Sequence, residues 1–340
     1  MPVRSTAPVR ICDIGGWTDT RFAGKGAVVN FAVHLPVHVL VFEQPTPEGS
    51  EPTIEIEALD VGTRVQLGDV RDIEYDGTLD LLKAAVVRMN VRKSLRIVIW
   101  ADPPPGSGMG TSSAVGVALL AALGRVTGQS LPRHGLAELA HALEVEELKI
   151  ECGVQDQYAA AFGGVHFMEI EYPRVRLSPL DLSRDFVDEL NERLLLVYSG
   201  ESRLSGQVHT RVIRNYRGQE GTEQEAMQTL RDCAYRMKDA LLAEDFDAVA
   251  DVMNTNWEAQ KALHEGITTD RIEETITVAR QAGASGAKVN GAGGGGSLTL
   301  LCKPGAEFSV RRAVSQVEGV SLLPCSISFG GVRAWDVSDV

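Results

Sequence analysis

A proline- and glycine-rich segment directly before an apolar helix most constrains the fold of this 340-residue chain. The segment ADPPPGSGMGTSS contains three prolines, which break regular structure, and three glycines, which permit tight turns. Residues 95–100 before it predict a strand, and the almost wholly apolar run 114–123 after it predicts a buried helix. A strand, a glycine loop and a helix therefore follow one another.

This order is typical of a loop that binds phosphate. Such a loop needs backbone N–H groups that point into one cavity and a helix N-terminus aimed at the anion. Glycines allow close approach of the backbone, and hydroxyl side chains at the helix start can cap the helix or bind a metal. An ordinary proline–glycine turn with a serine N-cap is the alternative. The predicted cofactor-binding residues are Pro105, Gly106, Ser107, Gly108, Met109, Gly110, Thr111, Ser112 and Ser113.

Two common nucleotide-binding patterns do not fit this segment. A P-loop requires GxxxxGK[ST], and no lysine follows these glycines. A dinucleotide-binding fingerprint requires GxGxxG and an acidic residue about twenty positions further on. Here the glycine spacing is GxGxG, and Ser130 stands among neutral neighbours at the corresponding position.

A second glycine cluster, GAKVNGAGGGGS, contains four consecutive glycines at 293–296. Ordering these glycines costs chain entropy, which close approach to a ligand or to another backbone segment would offset. A flexible linker is the alternative reading. Apolar, strand-like residues directly flank the cluster and argue against a linker.

The remaining periodicity predicts an α+β fold, and the length favours two lobes with a cleft, divided into residues 1–180 and 181–340. Two long helices are expected across 222–263 with a break near 244–245. The other predicted helices cover 79–89, 132–148, Gln155–Phe162 and Asp270–Ala282, and the other predicted strands cover 37–42, Ile54–Ala58, 165–170 and 298–302.

Composition and charge narrow the partners and the cellular compartment expected for the protein. A formal charge of −13 disfavours nucleic acids and anionic membrane surfaces as partners. The five cysteines are scattered and form no CxxC pair, which favours a reducing compartment. The N-terminus shows no apolar stretch of a signal peptide, and the longest apolar run is too short to span a bilayer. We therefore expect a cytoplasmic protein, and the sequence gives no indication of oligomeric state.

Three segments, APVRICDIGGWTDT, DPPPGSGMGTSSA and GAKVNGAGGGGS, resemble in this order the three signature motifs of the GHMP kinases, named for galactokinase, homoserine kinase, mevalonate kinase and phosphomevalonate kinase. The similarity spans nearly the whole chain. Two further segments, GVQDQYAAAFGG and LLLVYSGESR, look like the branch that contains heptose 7-phosphate kinase and L-fucokinase. The resemblance implies a two-lobe α+β fold in which ATP and the acceptor meet in the cleft. It also implies phosphorylation of a monosaccharide or monosaccharide phosphate, at the anomeric hydroxyl.

The resemblance further implies roles for the catalytic and metal-binding residues. Asp156 matches the catalytic aspartate of the family, and Arg10 matches an arginine near the transferred phosphate. Ser112 matches the metal-binding serine, and Glu144 matches the glutamate that completes the magnesium site. Without the resemblance, Asp156 would be read as a carboxylate that complements a helix dipole, Arg10 as a surface residue, and Glu144 as part of a solvated acidic helix face.

The motif GGWTDT is expected to form the sugar site together with Asp156. Asp19 matches an aspartate that holds sugar hydroxyls, and Gly16 and Trp17 precede it. Galactokinase has an acidic residue and a histidine at those two positions, which argues against D-galactose, whereas GGW-[ST]-D-T is closer to fucokinases. Gly293 and Gly294 of the second glycine cluster are expected to contact ATP.

Two other functions remain open on the sequence alone. One is a sugar or nucleotide sensor of the same fold with an inactive site, and the other is a related decarboxylase that acts on a phosphorylated acid. A phosphorylated sugar would require a cationic pocket, for which Arg203 and Arg211 are candidates.

Overall fold

A computed structural model describes residues 1–68, 73–202, 212–213 and 221–338. Arg203 and Arg211 lie outside these ranges. The strands in the described residues are β1 Val3–Ile14, β2 Lys25–Glu43, β3 Ile54–Ala58, β4 Thr63–Leu67, β5 Leu95–Ala101, β6 Val165–Glu171, β7 Arg174–Pro179, β8 Leu194–Tyr198, β9 Ala284–Val289, β10 Ser297–Cys302, β11 Ser321–Leu323 and β12 Arg333–Asp336. The helices are α1 Asp80–Arg88, α2 Thr111–Thr127, α3 Arg133–Ala142, α4 Gln155–Phe162, α5 Arg184–Arg193, α6 Thr222–Leu242, α7 Phe246–Ala262, α8 Asp270–Ala282 and α9 Glu307–Val314.

The larger sheet is built around the long strand β2. It has the order β12-β1-β2-β5-β3-β4, and β6 pairs with β2 and with β7. One half of β2, up to Phe31, pairs with β6, and the half from Val37 onward pairs with β5. Only β3 and β5 run parallel among the described pairs. Because β1 pairs with β2 along most of its length, the end of β1 at Ile14 is fixed beside Val29 of β2.

The smaller sheet has the order β11-β8-β10-β9, and all of its strand pairs are antiparallel. Every residue of β10 is buried, in agreement with its apolar sequence SLTLLC. The glycine-rich loop 290–296 connects β9 to β10, so its two ends are fixed by neighbouring strands of one sheet.

The predicted α+β class is confirmed, and several predicted elements coincide with those observed. Ile54–Ala58, Gln155–Phe162 and Asp270–Ala282 agree residue for residue. The break in the long helical region is also confirmed, because α6 ends at Leu242 and the Asp245 side chain caps α7.

The predicted helix over 132–148 is wrong in its last part. The α-helix ends at Ala142, and a π-helical turn, Leu143–Glu147, follows it. This turn changes which side chains face inward, since Glu144 is buried whereas Glu146 is exposed.

The boundary expected at residue 180 stays a prediction. β12, near the end of the described chain, returns to pair with β1 in the larger sheet. Among the residues described, no helix combines the length and apolarity needed to cross a membrane.

Candidate active site

A cavity of about 340 Å³ opens where the end of β1, the first glycine loop and the start of α4 meet. Most of the predicted site residues line it. They are Arg10, Trp17, Asp19, Gly106, Ser107, Gly108, Met109, Gly110, Thr111, Ser112, Ser113, Glu144 and Asp156.

The first glycine loop leaves the N-terminus of α2 open toward this cavity. Gly106, Gly108 and Gly110 have φ angles of 69°, 72° and 72°, which non-glycine residues rarely adopt. Gly110 is the N-cap, and no side chain caps the helix. The alternative of a serine N-cap is therefore wrong, and the first N–H groups of α2 are available to an anion.

The two glycine-rich loops pack directly against each other. The Ser297 hydroxyl donates to the carbonyl of Ser107 at 2.8 Å. A Cβ atom on Gly291 would lie 2.6 Å from the Gly108 carbonyl oxygen, and one on Gly296 would lie 2.8 Å from that of Ser107. Close approach of another backbone segment therefore accounts for these glycines, and the linker interpretation is wrong.

The second glycine loop reaches the cavity through Gly291 and Ala292. Gly294 instead donates its backbone N–H to the Ile267 carbonyl at 2.6 Å, and Gly293 packs against the same residue. Neither of these glycines lines the cavity, and neither does Pro105. Their contact with ATP stays a prediction.

Arg10 and Asp156 form a two-pronged ion pair in the cavity. Arg10 Nε donates to Asp156 Oδ1 at 2.7 Å, and Nη2 donates to Oδ2 at 3.1 Å. Nη1 donates to the Gly108 carbonyl, which attaches the arginine to the first glycine loop. Burial alone would lower the pKa of Arg10, but the charges of Asp156 and Asp13 outweigh burial and raise it above the ordinary value. Arg10 is buried, so the surface-residue interpretation is wrong.

Asp156 lies in the first turn of α4, as the sequence predicts. Its carboxylate fits against Gly110, where a Cβ atom would lie 2.9 Å from both Asp156 Cγ and Oδ2. The glycine at the N-cap of α2 therefore makes room for the carboxylate.

Asp19 lies 2% exposed in the turn after β1. The backbone N–H of Gln155 donates to Asp19 Oδ2 at 3.1 Å. Burial, reinforced by the nearby negative charge of Asp156, raises the pKa of Asp19 to about 6. A Cβ atom on Gly153 would lie 1.9 Å from Asp19 Oδ2, so this position has no space for a side chain.

Trp17 lines the cavity with a backbone φ of 76°, an uncommon conformation for a bulky residue. Its ring also packs with the apolar core that contains Trp257 and Leu298. Gly16 does not line the cavity. A Cβ atom there would lie 2.7 Å from Asp13 Oδ2, so Gly16 makes room for that carboxylate.

Glu144 is almost fully buried on the π-helical turn and accepts a hydrogen bond from Ser113 Oγ at 3.1 Å. Burial raises the pKa of this carboxyl above its ordinary value. Ser112 is exposed in the first turn of α2 and also lines the cavity. Because Glu144 is buried, the alternative that it belongs to a solvated acidic helix face is wrong.

Sequence reasoning missed several residues that line the cavity. Asp13 lies inside the first motif, but no role was predicted for it from the sequence. Its ion-pair partner, Lys288, lies just before the second glycine loop. Between the π-helical turn and α4, residues 148–152 carry no strong pattern in sequence. The missed lining residues are Asp13, Thr20, Ile150, Glu151, Cys152, Gly153, Gln155, Gly291 and Ala292.

An open helix N-terminus, a glycine loop and an arginine–aspartate pair in one cavity are the features of a small-molecule kinase. Comparison with known proteins agrees with this class. Residues 77–164 match the family model for the GHMP kinases N terminal domain, and residues 237–318 match that for the GHMP kinases C terminal domain. The chain belongs to the GHMP kinase family. It is accordingly a phosphotransferase that uses ATP, and the resemblance of its motifs is confirmed.

Two relatives match nearly the whole chain, and a third matches 71% of it. It is 28% identical over 346 residues to D-glycero-alpha-D-manno-heptose 7-phosphate kinase of Campylobacter jejuni, covering 98% of this chain and 99% of that protein. It is 30% identical over 241 residues to a mevalonate kinase of Methanothermobacter thermautotrophicus, covering 71% of this chain and 75% of that protein. The crystal structure of a D-glycero-D-manno-heptose 1-phosphate kinase from Bacteriodes thetaiotaomicron superimposes with a TM-score of 0.80 at 29% identity, covering 99% and 100% of the two chains.

Proposed function

We propose that the protein transfers the γ-phosphoryl group of ATP to the anomeric hydroxyl of a sugar or sugar phosphate. The observation that carries this proposal is the Arg10–Asp156 pair, 2.7 Å apart beside the open N-terminus of α2. The heptose phosphate kinases among the relatives support a sugar acceptor.

Asp156 is the proposed catalytic carboxylate. Phosphoryl transfer depends mainly on positioning and on neutralisation of charge, so an acceptor-orienting carboxylate and a cation are the central side chains. Asp156 takes the proton of the sugar hydroxyl or orients that hydroxyl for attack. Its side chain is 23% exposed, which leaves it accessible from the cavity while Arg10 fixes its orientation through two hydrogen bonds.

Arg10 and the backbone of the first glycine loop are proposed to hold the phosphates. The free N–H groups at the start of α2 bind phosphate oxygens, and the helix dipole favours the negative charge. Arg10 already contacts the Gly108 carbonyl, so its charge lies at the same loop. The guanidinium offsets the charge that is spread over the transferred group.

The donor set fits magnesium carried by the nucleotide. Mg²⁺ prefers oxygen ligands and is usually held by one or two carboxylates together with substrate phosphates. Glu144 and the Ser112 hydroxyl supply such oxygens at the cavity, and a buried carboxyl with a raised pKa gains from a nearby cation. Among the described residues no cluster of three or more histidine, cysteine or acidic side chains could hold a metal by itself. When bound, the ion neutralises charge on the phosphate oxygens. The Ser113 hydroxyl holds Glu144 in place.

Asp19 and Trp17 are proposed to hold the sugar. An ionised Asp19 accepts hydrogen bonds from sugar hydroxyls, and the backbone of Gln155 orients it. Trp17 lines the cavity although it is only 5% exposed, and it is proposed to contact the apolar face of a pyranose. An inactive sensor would not need Arg10, Asp156 and Glu144 together, so the sensor alternative is not favoured. We further propose that the protein acts in the cytoplasm.

Release of ADP with a panel of acceptors tests the proposal. The panel contains L-fucose, D-galactose, L-arabinose, D-mannose, glucuronate and D-glycero-D-manno-heptose 7-phosphate, with mevalonate as the non-sugar arm. We expect turnover with at least one sugar or sugar phosphate and none with mevalonate. Binding of ATP without turnover of any sugar would contradict the proposal and favour a sensor, and turnover of mevalonate alone would contradict the sugar acceptor.

A further inference from the structure

A buried ion pair joins the end of β1 to the strand that precedes the second glycine loop. Lys288 Nζ lies 2.8 Å from Asp13 Oδ1, and the two residues are 0% and 2% exposed. Asp13 Oδ1 also accepts from the backbone N–H of Gly291 at 3.1 Å, and Lys288 Nζ donates to the Val289 carbonyl at 2.7 Å. The pair therefore connects the larger sheet to the second glycine loop, which reaches the cavity through Gly291 and Ala292.

Stability alone does not account for such a pair. Removing two charges from water is costly, and a buried ion pair is often no more stable than two apolar side chains of similar volume. Breaking the pair on one side, in contrast, leaves a buried charge without compensation. A position that retains both charges points to a role in arranging neighbouring groups.

The neighbouring group here is Arg10. Among the described residues that line the cavity, Arg10 is the one lysine or arginine, and five are carboxylates: Asp13, Asp19, Glu144, Glu151 and Asp156. Arg10 Nη1 lies 4.0 Å from Asp13 Oδ1, while Nε and Nη2 of the same guanidinium are bound to Asp156. Arg10 thus stands between two carboxylates and is hydrogen-bonded to one of them.

Lys288 explains why Arg10 is hydrogen-bonded to Asp156 and not to Asp13. The Lys288 ammonium group, from β9 of the smaller sheet, donates a hydrogen bond to Asp13 Oδ1, the same oxygen that faces Arg10. Lys288 thereby neutralises the Asp13 carboxylate. Without Lys288, Asp13 would be a buried anion with Arg10 as a near cation, and the guanidinium would be drawn toward it. A displacement of about 1 Å in a catalytic group can cost about a hundredfold in rate.

We propose that Lys288 is a positioning residue that keeps Arg10 on Asp156 by neutralising Asp13. The proposal rests on the proposed kinase function for its kinetic consequence. Its structural consequence, the location of the Arg10 guanidinium, does not depend on the identity of the acceptor.

Three variants test whether the position of Arg10 depends on neutralisation of the Asp13 charge or on the Asp13–Lys288 ion pair itself. Lys288→Met leaves Asp13 unpaired, Asp13→Asn removes the negative charge but keeps an oxygen acceptor, and the double variant removes both charges. We expect Lys288→Met to lower kcat by about tenfold to a hundredfold. The double variant is expected to stay within about threefold of the wild type, because Arg10 then has one carboxylate beside it and no buried charge is left unpaired. Asp13→Asn alone leaves Lys288 as the unpaired buried charge and is expected to lower the melting temperature.

Crystal structures of the same variants provide a second readout that needs no acceptor. In Lys288→Met the Arg10 Nη1 to Asp13 Oδ1 distance is expected to shorten from 4.0 Å to hydrogen-bond length. In the double variant Arg10 is expected to keep both bonds to Asp156. If the wild type phosphorylates no sugar but Arg10 shifts in Lys288→Met, the proposed function fails and the positioning role stands.

Lys83→Met is the matched control. Lys83 is also a buried cation, 2.5 Å from Asp76 and 3.3 Å from Asp80, and it does not line the cavity. This variant is expected to lower the melting temperature and leave kcat unchanged, which is the pattern that a purely structural Lys288 would give.

Three results overturn the positioning role. They are a kcat of Lys288→Met within twofold of the wild type, a double variant as impaired as Lys288→Met, and an unmoved Arg10 in the Lys288→Met structure. If Lys288→Met does not fold, the double variant decides, because it leaves neither buried charge unpaired; a loss of tenfold or more in that variant would overturn the positioning role.

Discussion

Replacing Asp156 with asparagine tests the centre of the proposed mechanism. The two Asp156 oxygens accept from Arg10 Nε at 2.7 Å and from Nη2 at 3.1 Å. Asparagine keeps one oxygen acceptor and places an NH₂ group where the other oxygen was, so one charge-assisted hydrogen bond is lost. It also removes the carboxylate that is proposed to take the proton of the sugar hydroxyl or to orient that hydroxyl.

The two effects differ in size. The lost hydrogen bond costs about 1–2 kcal/mol of folding stability, at the lower end because the Asp156 side chain is 23% exposed. Loss of general base catalysis lowers the rate by about a hundredfold to ten-thousandfold, which corresponds to roughly 3–5 kcal/mol of the barrier. The catalytic effect is therefore expected to exceed the structural one. If Asp156 only complemented the dipole of α4, the cost would be about 0.3–1 kcal/mol of stability with kcat intact.

The assay combines three measurements on the same preparation: kcat from ADP release with the accepted sugar, the melting temperature, and the Kd for ATP from calorimetry. We expect a loss of kcat of at least about a hundredfold, a small drop in melting temperature, and ATP binding close to that of the wild type. Asp76→Asn is the control, since Asp76 also accepts from a cation, Lys83, but does not line the cavity. A loss of only a few-fold in Asp156→Asn, with folding and ATP binding intact, would refute the catalytic role.

Four further predictions address the sugar site, the metal and the glycine loop. Because the pKa of Asp19 is raised to about 6, kcat/KM for the sugar should fall about tenfold per pH unit below that value, and Asp19→Asn should abolish this pH dependence. The same raised pKa makes the contribution of Asp19 to folding stability fall as the pH rises from about 4 to about 6. This change is measured as the difference in unfolding free energy between the wild type and Asp19→Asn. Gly153→Ala should raise KM for the sugar at least about tenfold with the Kd for ATP unchanged, because the new Cβ would displace Asp19. Glu144→Gln should raise the Mg²⁺ concentration needed for half-maximal rate, and an unchanged Mg²⁺ titration would exclude Glu144 from the metal site. Gly110→Ala and Gly128→Ala should each lose about 1–2 kcal/mol of stability from backbone strain, because both residues have φ near 72–74°. Gly110→Ala should lose further stability and also kcat, because Asp156 lies 2.9 Å from its Cβ position, whereas nothing lies within 4 Å at Gly128.

The features predicted best from sequence are those set by short stretches of chain. Three prolines and three glycines before an apolar run were sufficient to predict the loop and helix α2, and Asp156 was found in the first turn of the helix predicted over Gln155–Phe162. The π-helical turn after Ala142 was missed, because the helical periodicity continues through it while the hydrogen-bond pattern changes. The choice between a linker and a packed loop at 290–296 required the position of Ser107, which local sequence does not contain.

The parts of the site that escaped prediction depend on contacts between distant segments. Asp13 and Lys288 are 275 positions apart, and neither residue has a neighbour in sequence that signals an ion pair. Gly153 is the first residue of the segment GVQDQYAAAFGG, but that segment does not show why the position must be small. The reason is that Asp19, from the turn after β1, is folded against it.

Glycine is required at particular positions of this protein for two different reasons: a positive φ angle, or the lack of space for a Cβ atom. At Gly128 the positive φ alone favours glycine, and the residue only ends a helix. At Gly110, Gly153 and Gly16 the space of the missing Cβ is next to a carboxylate, that of Asp156, Asp19 and Asp13 respectively. Each of the three carboxylates belongs to the cavity, so these glycines mark where acidic side chains are fitted closely against the backbone. Arg10 faces the carboxylates of Asp156 and Asp13. Because Lys288 pairs with Asp13, the Arg10 guanidinium is left to hold the carboxylate of Asp156.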